Sequence, residues 1–244
     1  GRDMHFVELA GVQEDLVKAV VATGKPVVVV LVNGRSLAIE WIAEHVPAIL
    51  ETWFAGEEQG NAIADILWGD VNPSGKLPVS LPRSTGHLPC FYNHLPSARG
   101  SYKRRGSRES LGMDYLLSSA DPLFEFGFGL SYTTFEYSNL QVAPASIRCA
   151  GNVDVSVNVK NTGDREGAEV VQLYINDLYS SMETPVKQLR RFEKVWLKPG
   201  EEKKVRFTLK PADLAFVNLQ MEWVVEPGEF EVMSGGLKAS FRVE

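Results

Sequence analysis

The sequence predicts two folds in succession: an α/β sandwich domain, a mainly parallel sheet flanked by helices, and then an all-β sandwich. Three observations predict this. Between Gly11 and Trp68, stretches with helical spacing alternate with short apolar runs. Over the last ~100 residues the pattern changes to strict apolar–polar alternation, with turn signals at the ~8–12-residue intervals of an all-β sandwich. Between the two lies 80–121, long, irregular and punctuated by Pro82, Pro89 and Pro96, with Pro122 just beyond it. A connection of that length inside a compact protein is functional or disordered.

The elements follow in order. Gly11–Thr23 carries Val12, Leu16, Ala19 and Val20 at helical spacing with polar residues between them, and Gly24 supplies the stop. Lys25–Asn33 holds six consecutive Val or Leu residues, the mark of a strand buried on both faces of a covered parallel sheet. Asn33-Gly34 closes it. Leu37–Glu44 reads as a second helix with Leu37, Trp41 and Ile42 on one side, Pro47–Phe54 as a second strand, and Glu57–Trp68 as a third helix. The order β-α-β-α with short connections implies the α/β sandwich.

In the later part, Val153–Val159 alternates valine with polar residues, so one face is buried and one is wet. Asn161-Thr162-Gly163-Asp164 supplies a turn. Val170–Ile175, Leu189–Leu197, Lys204–Leu209 and Phe230–Met233 follow as strands, with turns at Lys198-Pro199-Gly200-Glu201 and Glu226-Pro227-Gly228-Glu229. About seven short strands in this rhythm fit a fibronectin III/immunoglobulin-like sandwich. The missing Cys-Trp-Cys pattern disfavours an antibody-type domain. The expected division is 1–135 for the α/β part, including the loop 80–121, and 136–244 for the β sandwich, with the boundary near Phe135–Leu140.

Composition limits what the chain does. In 244 residues, 44% are hydrophobic and 23% charged, enough for a substantial core. The net charge of −6 argues against a nucleic-acid partner, since phosphate backbones are held by clustered Lys and Arg. The longest apolar run, Val27–Val32, is far short of the ~20 residues of a membrane helix. No leader is visible, but the chain opens on Gly1 without an initiator Met, so a secreted home stays open. Cys90 and Cys149 fit neither a metal-ligand spacing nor a disulfide framework and read as two unpaired small apolar residues. His5, His45, His87 and His94 are scattered, so no metal or cofactor is expected.

Five phrases in fixed order then carry a specific resemblance. They are Thr23-Gly24-Lys25-Pro26 leading to Asn33-Gly34-Arg35; Trp53-Phe54-Ala55-Gly56-Glu57-Glu58-Gln59-Gly60; and Gly69-Asp70-Val71-Asn72-Pro73-Ser74-Gly75-Lys76-Leu77-Pro78. Next come Pro122-Leu123-Phe124 with Phe126-Gly127-Phe128-Gly129-Leu130-Ser131-Tyr132-Thr133. Last are Lys160-Asn161-Thr162-Gly163, Val170-Val171-Gln172-Leu173-Tyr174 and Pro185-Val186-Lys187-Gln188-Leu189. Each is turn or packing chemistry by itself. Together they cover nearly the whole chain, which resembles glycoside hydrolase family 3, its bacterial periplasmic and secreted β-glucosidases above all.

The resemblance implies a three-part enzyme. A (β/α)8 barrel carries the nucleophilic aspartate, an α/β sandwich gives the acid/base glutamate from a loop, and a fibronectin-like domain closes the chain. The present sequence resembles the later portion of the second part and all of the third. A barrel alone takes ~250 residues, so none fits beside these two units. A retaining glycosidase needs two carboxyls ~5–5.5 Å apart. The resemblance places the acid/base loop just upstream of Phe6–Gln13, at or before Gly1, so no catalytic residue is assigned within the chain.

Substrate-contact candidates remain. Tyr102 is suited to stack on a pyranose face, and Arg104 or Arg105 to hydrogen-bond hydroxyls. They lie in Ser97–Tyr115, beside Lys103 and Arg108, and a solvated basic loop is the plainer reading. Glu58 is the other candidate, at the mouth of the α/β sheet where ligands bind. For Glu57 and Glu58 the plainer and favoured reading is acids at a helix start. Glu8 reads as a solvated strand residue, and Asp114 has no support. Trp41, Trp53, Trp68, Trp196 and Trp223 form either a sugar platform or, as favoured by their place in regular elements, core packing.

Three readings follow. The first is the C-terminal part of a retaining β-glucosidase acting on terminal β-glucosyl residues of short oligosaccharides, with β-xylosidase or exo-glucanase as alternative specificities. Its partners would be the β-glucoside and the upstream barrel, and its home periplasmic or secreted. The second is a non-catalytic carbohydrate-binding module. The third is a structural module that braces the enzyme or mediates a homodimer.

Overall fold

The computed structural model describes residues 4–96 and 118–244. Within these, 4–71, 77–92 and 118–128 form one compact unit, and 72–76, 93–96 and 129–244 form a second.

The first unit runs α1 (Gln13–Val21), β1 (Val28–Leu31), α2 (Glu40–His45), β2 (Ala48–Glu51) and α3 (Gln59–Trp68), then one turn of 3-10 helix at Thr85–His87. β1 and β2 pair in parallel, Val28 opposite Ala48 through Leu31 opposite Glu51. The core gathers Leu31, Leu37, Ile39, Ile42, Val46 and Leu81, with Val17, Val21, Val29 and Ile49 packed against them. The chain after residue 77 closes this core: Leu81 bridges antiparallel to Phe124, and Leu77 N–H donates to Phe128 C=O at 2.8 Å.

Expectations for three elements need correction here. α1 ends at Val21, because its last turn tightens, with Thr23 N–H bonding Val20 C=O and Gly24 N–H bonding Val21 C=O. Its core-facing residues are Val17 and Val21, while Val12, Leu16 and Val20 are exposed. β1 is not buried on both faces: Leu31 is buried, but Val28 and Val32 are about half exposed at 50% and 54%. Among the described residues its sheet has two strands, and Val27, Val29 and Leu31 join the core shared with Val17, Val21, Ile42 and Leu81. α2 begins at Glu40, with Leu37 and Ile39 buried on the approach to it.

The second unit contains β3 (Phe135–Ala143), β4 (Ser146–Ile147), β5 (Val153–Asn161), β6 (Gly167–Asp177), β7 (Gln188–Leu197) and β8 (Glu202–Leu209). After these come α4 (Pro211–Leu214), β9 (Phe216–Val217), β10 (Trp223–Val224), β11 (Gly228–Ser234) and β12 (Leu237–Val243). A three-stranded sheet in the order β3-β5-β8 faces a five-stranded sheet in the order β4-β12-β11-β6-β7. Val153, Val155, Val157 and Val159 of β5 are fully buried, as the alternation predicts, against Val171, Leu173, Phe230, Val232, Phe241 and Val243. This is an all-β sandwich with one apolar layer between two sheets.

The turn after β5 is built around Asn161, whose side chain is completely buried. Its Oδ1 accepts from Thr133 Oγ1 (2.6 Å) and Gly163 N–H (3.1 Å), and its Nδ2 donates to the carbonyls of Arg165 (2.7 Å) and Leu197 (2.9 Å). The short segment 72–76 belongs to this unit. Asn72 Nδ2 donates to Glu166 C=O (3.0 Å), while its Oδ1 accepts from Ser131 Oγ and Tyr132 N–H, both 2.8 Å. Lys76 Nζ lies 2.8 Å from Gly129 C=O and 3.1 Å from the buried Glu169, which also accepts from Tyr137 Oη. Burial, reinforced by that carboxylate, holds the Tyr137 phenol well above its ordinary range.

The tryptophans are a further correction. Trp68, Trp196 and Trp223 are 83%, 53% and 73% exposed, so only Trp41 and Trp53 fit the packing role. Trp41 stacks on His45 and lies beneath Lys18 Nζ at 5.3 Å. Cys90 and Cys149 are free and half-buried.

Candidate functional site

In open α/β sheets, ligands are met outside the carboxyl ends of parallel strands. At that end of β1 and β2 the first unit builds a dense polar cluster. Thr52 ties the two strand ends together, its N–H (3.0 Å) and Oγ1 (2.7 Å) both directed at Leu31 C=O. Gln59, opening α3, donates to Thr52 Oγ1 (2.9 Å). Trp53 between them adopts a left-handed φ of 50°, a conformation that costs a non-glycine residue energy and persists only where its surroundings impose it. Its N–H is held by Glu51 Oε1 at 3.1 Å.

Glu51 itself is half-buried, and among the described residues no hydrogen-bond partner stands within bonding geometry of its Oε2. Burial pushes its carboxyl above the ordinary carboxylate range, against the opposing pull of the Trp53 amide and the Asn33 side chain. Asn33 donates to Arg35 C=O at 2.6 Å, and its Oδ1 is likewise buried without a partner among the described residues. Gly34 follows beneath the Phe54 ring; a Cβ there would stand 2.6 Å from Cε2 of that ring. The phrases Asn33-Gly34-Arg35 and Trp53 through Gly60 thus meet in one place.

A second group anchors the chain returning at 118–122. Arg83 donates through Nε to Asp121 C=O (2.9 Å) and pairs through Nη1 with Glu40 (2.9 Å). Buried His87 accepts at Nδ1 from Arg83 N–H (3.3 Å), which leaves Nε2–H to donate to Ala120 C=O (2.9 Å). Cys90, 3.9 Å from that ring, has its thiol pushed up by burial, the opposite of an activated nucleophile.

The candidates read from sequence fare unevenly. Tyr102, Arg104 and Arg105, with Lys103, Arg108 and Asp114, lie outside the described residues. Glu58 sits at the N-cap of α3, exposed, with Oε2 accepting from Asn61 Nδ2 at 2.5 Å. Glu57 is also exposed and precedes the helix. Glu8 is not simply solvated. Its carboxylate accepts from Thr85 N–H (3.0 Å) and Oγ1 (2.7 Å), bonds that hold it below the ordinary range. Sequence reading missed Glu51 and His87. The signal for Glu51 was a lone charge at the end of an apolar strand; His87 offered none beyond its isolation.

Among the described residues no group of three His, Cys, Asp or Glu converges as a metal site. No helix among them is long and apolar enough to cross a membrane.

Comparison with known proteins places this architecture. Residues 1–132 match the glycosyl hydrolase family 3 C-terminal domain, and 169–237 match the fibronectin type III-like domain. A periplasmic β-glucosidase of Salmonella typhimurium is 50% identical over 91% of this chain and 29% of its own length. A β-xylosidase of Formosa agariphila is 46% identical over 96% of the chain and 31% of its own length. The crystal structure of a β-glucosidase from Listeria innocua in complex with glucose superposes with a TM-score of 0.89 at 39% identity, covering 98% of this chain and 34% of that one. The chain therefore spans about a third of the length of these relatives. With the two matched domains in this order and relatives at this identity, the chain belongs to glycosyl hydrolase family 3, as its C-terminal domain followed by a fibronectin type III-like domain.

Proposed function

We propose that this chain serves as the C-terminal part of a retaining β-glucosidase that removes terminal β-D-glucosyl residues from short oligosaccharides. The observation that carries the reading is the 50% identity to a periplasmic β-glucosidase across 91% of the chain. In this reading the nucleophilic aspartate comes from an upstream barrel and the acid/base glutamate from upstream of residue 1. Residues 1–135 supply the α/β part and 136–244 the sandwich. Tyr102, Arg104 and Arg105 contact the sugar, with Glu58 beside the strand ends. The enzyme works in the periplasm or outside the cell, in keeping with that relative.

A β-xylosidase is the second reading, favoured by the Formosa relative at 46% identity. The two differ by a hydroxymethyl group on the sugar, so the specificity constants separate them. In the full-length enzyme kcat/KM for an aryl β-glucoside is expected to exceed that for the aryl β-xyloside by about tenfold or more. The reverse order would establish the xylosidase. Arg104→Ala and Tyr102→Ala are expected to raise KM in the same assay, and unchanged kinetics in both would remove them from the site.

A further inference from the structure

The order of elements in the first unit leaves one edge of its parallel pair open. β1 leads through α2 to β2, and the two strands run parallel, Val28 opposite Ala48. α1 lies on the same face of that pair as α2. Val17 and Val21 join Trp41 and Ile42 over Val29 and Leu31, and Lys18 Nζ stands 5.3 Å from the Trp41 ring centre. Connections between parallel strands are almost always right-handed. With both helices on one face, two right-handed crossovers in succession advance across the sheet in one direction. A strand that feeds α1 therefore lies on the side of β1 away from β2. Among the described residues no strand occupies that edge.

The flank of α1 above the same edge is apolar. Leu16 and Val20 each stand two positions from Lys18, which puts them roughly 160° round the helix from the side that meets α2. Both are exposed, as are Val28 and Val32 along β1. Parallel sheets are found with both faces covered, and two strands alone are marginal. This chain matches only about a third of the length of its relatives, which names the occupant.

We infer that the free edge of β1 and the Leu16–Val20 flank of α1 form the docking surface for the upstream part of the same enzyme, which adds a parallel strand beside β1 and apolar side chains against α1. This rests on the reading of the chain as the C-terminal part of a longer enzyme. The added strand runs with β1 and ends level with Val32 and Asn33. The connection from it to α1 then passes beside the strand-end cluster. The approach to α1 already lies at that end: Ala38, in the connection leaving β1, donates its N–H to Val7 C=O (2.9 Å) and bridges to Glu8 in parallel.

Hydrogen exchange in the chain alone and in the full-length enzyme tests this. Successive amides of a strand point to opposite edges, so only alternate N–H groups of Val28–Leu31 face β2. Those are expected to be protected in both proteins. The others should exchange about a hundredfold more slowly in the full-length enzyme, while Val171 of the second unit is unchanged. Leu16→Glu combined with Val20→Glu is expected to move the Tm of the chain alone by less than about 2 °C and to lower that of the full-length enzyme by about 5 °C or more. Equal protection of the edge amides in the two proteins, or equal Tm shifts, would overturn the inference. Edge protection that grows with the concentration of the chain alone would put a second copy there and overturn it as well. Should the substituted enzyme not fold, the exchange comparison in the wild type decides. Edge amides that stay fast in an enzyme that hydrolyses the aryl β-glucoside end the inference and leave the proposed function standing. Protected edge amides in an enzyme without that activity do the reverse.

Discussion

Asn161 shows how much a single side chain can specify. Buried in the second unit, it satisfies two donors and two acceptors that its removal would leave without partners. Asn161→Ala is expected to destabilise the sandwich by about 2–4 kcal/mol, the scale for orphaning several buried polar groups. Chemical denaturation monitored at a β-sheet signal checks this. In the first unit, Glu51 and Glu8 make opposite contributions to pH dependence. Glu51 is raised by burial, so the folded state favours its proton, and stability is lost as pH rises through the raised value. Glu8 is lowered by its bonds to Thr85, so its contribution is present above the ordinary carboxylate range and lost as pH falls. Glu51→Gln is therefore expected to raise Tm at pH 8 and leave it nearly unchanged at pH 4. A thermal scan across pH reads both.

At the scale of the element, the segment 72–76 interlocks with three others. Asn72 meets Ser131 and Tyr132, Thr133 meets Asn161, and Lys76 meets Glu169, so three phrases far apart in sequence form one hydrogen-bonded strap on the β sandwich. Losing one member of a buried ion pair costs more than the pair itself contributes. Lys76→Ala is expected to destabilise the second unit by about 3 kcal/mol. Adding Glu169→Gln should restore part of that loss, and a double-mutant cycle measures the coupling.

The alternating valines of β5 and the turns at Asn161 and Lys198 were legible in sequence, because period-2 burial and turn chemistry are local. The strap was not, since the contacts of Asn72 depend on residues about sixty and ninety-four positions away. α1 shows the same limit. Its turns carry two apolar stripes, one through Leu16 and Val20 and one through Val17 and Val21, and periodicity does not say which of them packs. The structure covers Val17 and Val21 and exposes Leu16 and Val20. The polar cluster at the strand ends was half legible. Its turns could be read from Asn33-Gly34, but the burial of Glu51 follows from β1 pairing with β2.

At the scale of the whole molecule, the chain matches about a third of the length of its relatives, and the chemistry proposed for it is divided accordingly. Glycoside cleavage by retention needs a nucleophile facing a proton donor at ~5–5.5 Å. Among the described residues the adjacent acids Glu57 and Glu58 are exposed at the start of α3, and the half-buried Glu51 spends one oxygen on Trp53. The chain itself holds the strand-end cluster, the anchors Arg83 and His87 for the chain at 118–122, and a sandwich locked by Asn161. The most direct measurement is glucose release from an aryl β-glucoside by the 244-residue chain alone and by the same chain joined to a family 3 barrel with its acid/base loop. The account predicts turnover with net retention from the joined protein and none above background from the chain alone. Sustained turnover by the isolated chain would contradict it.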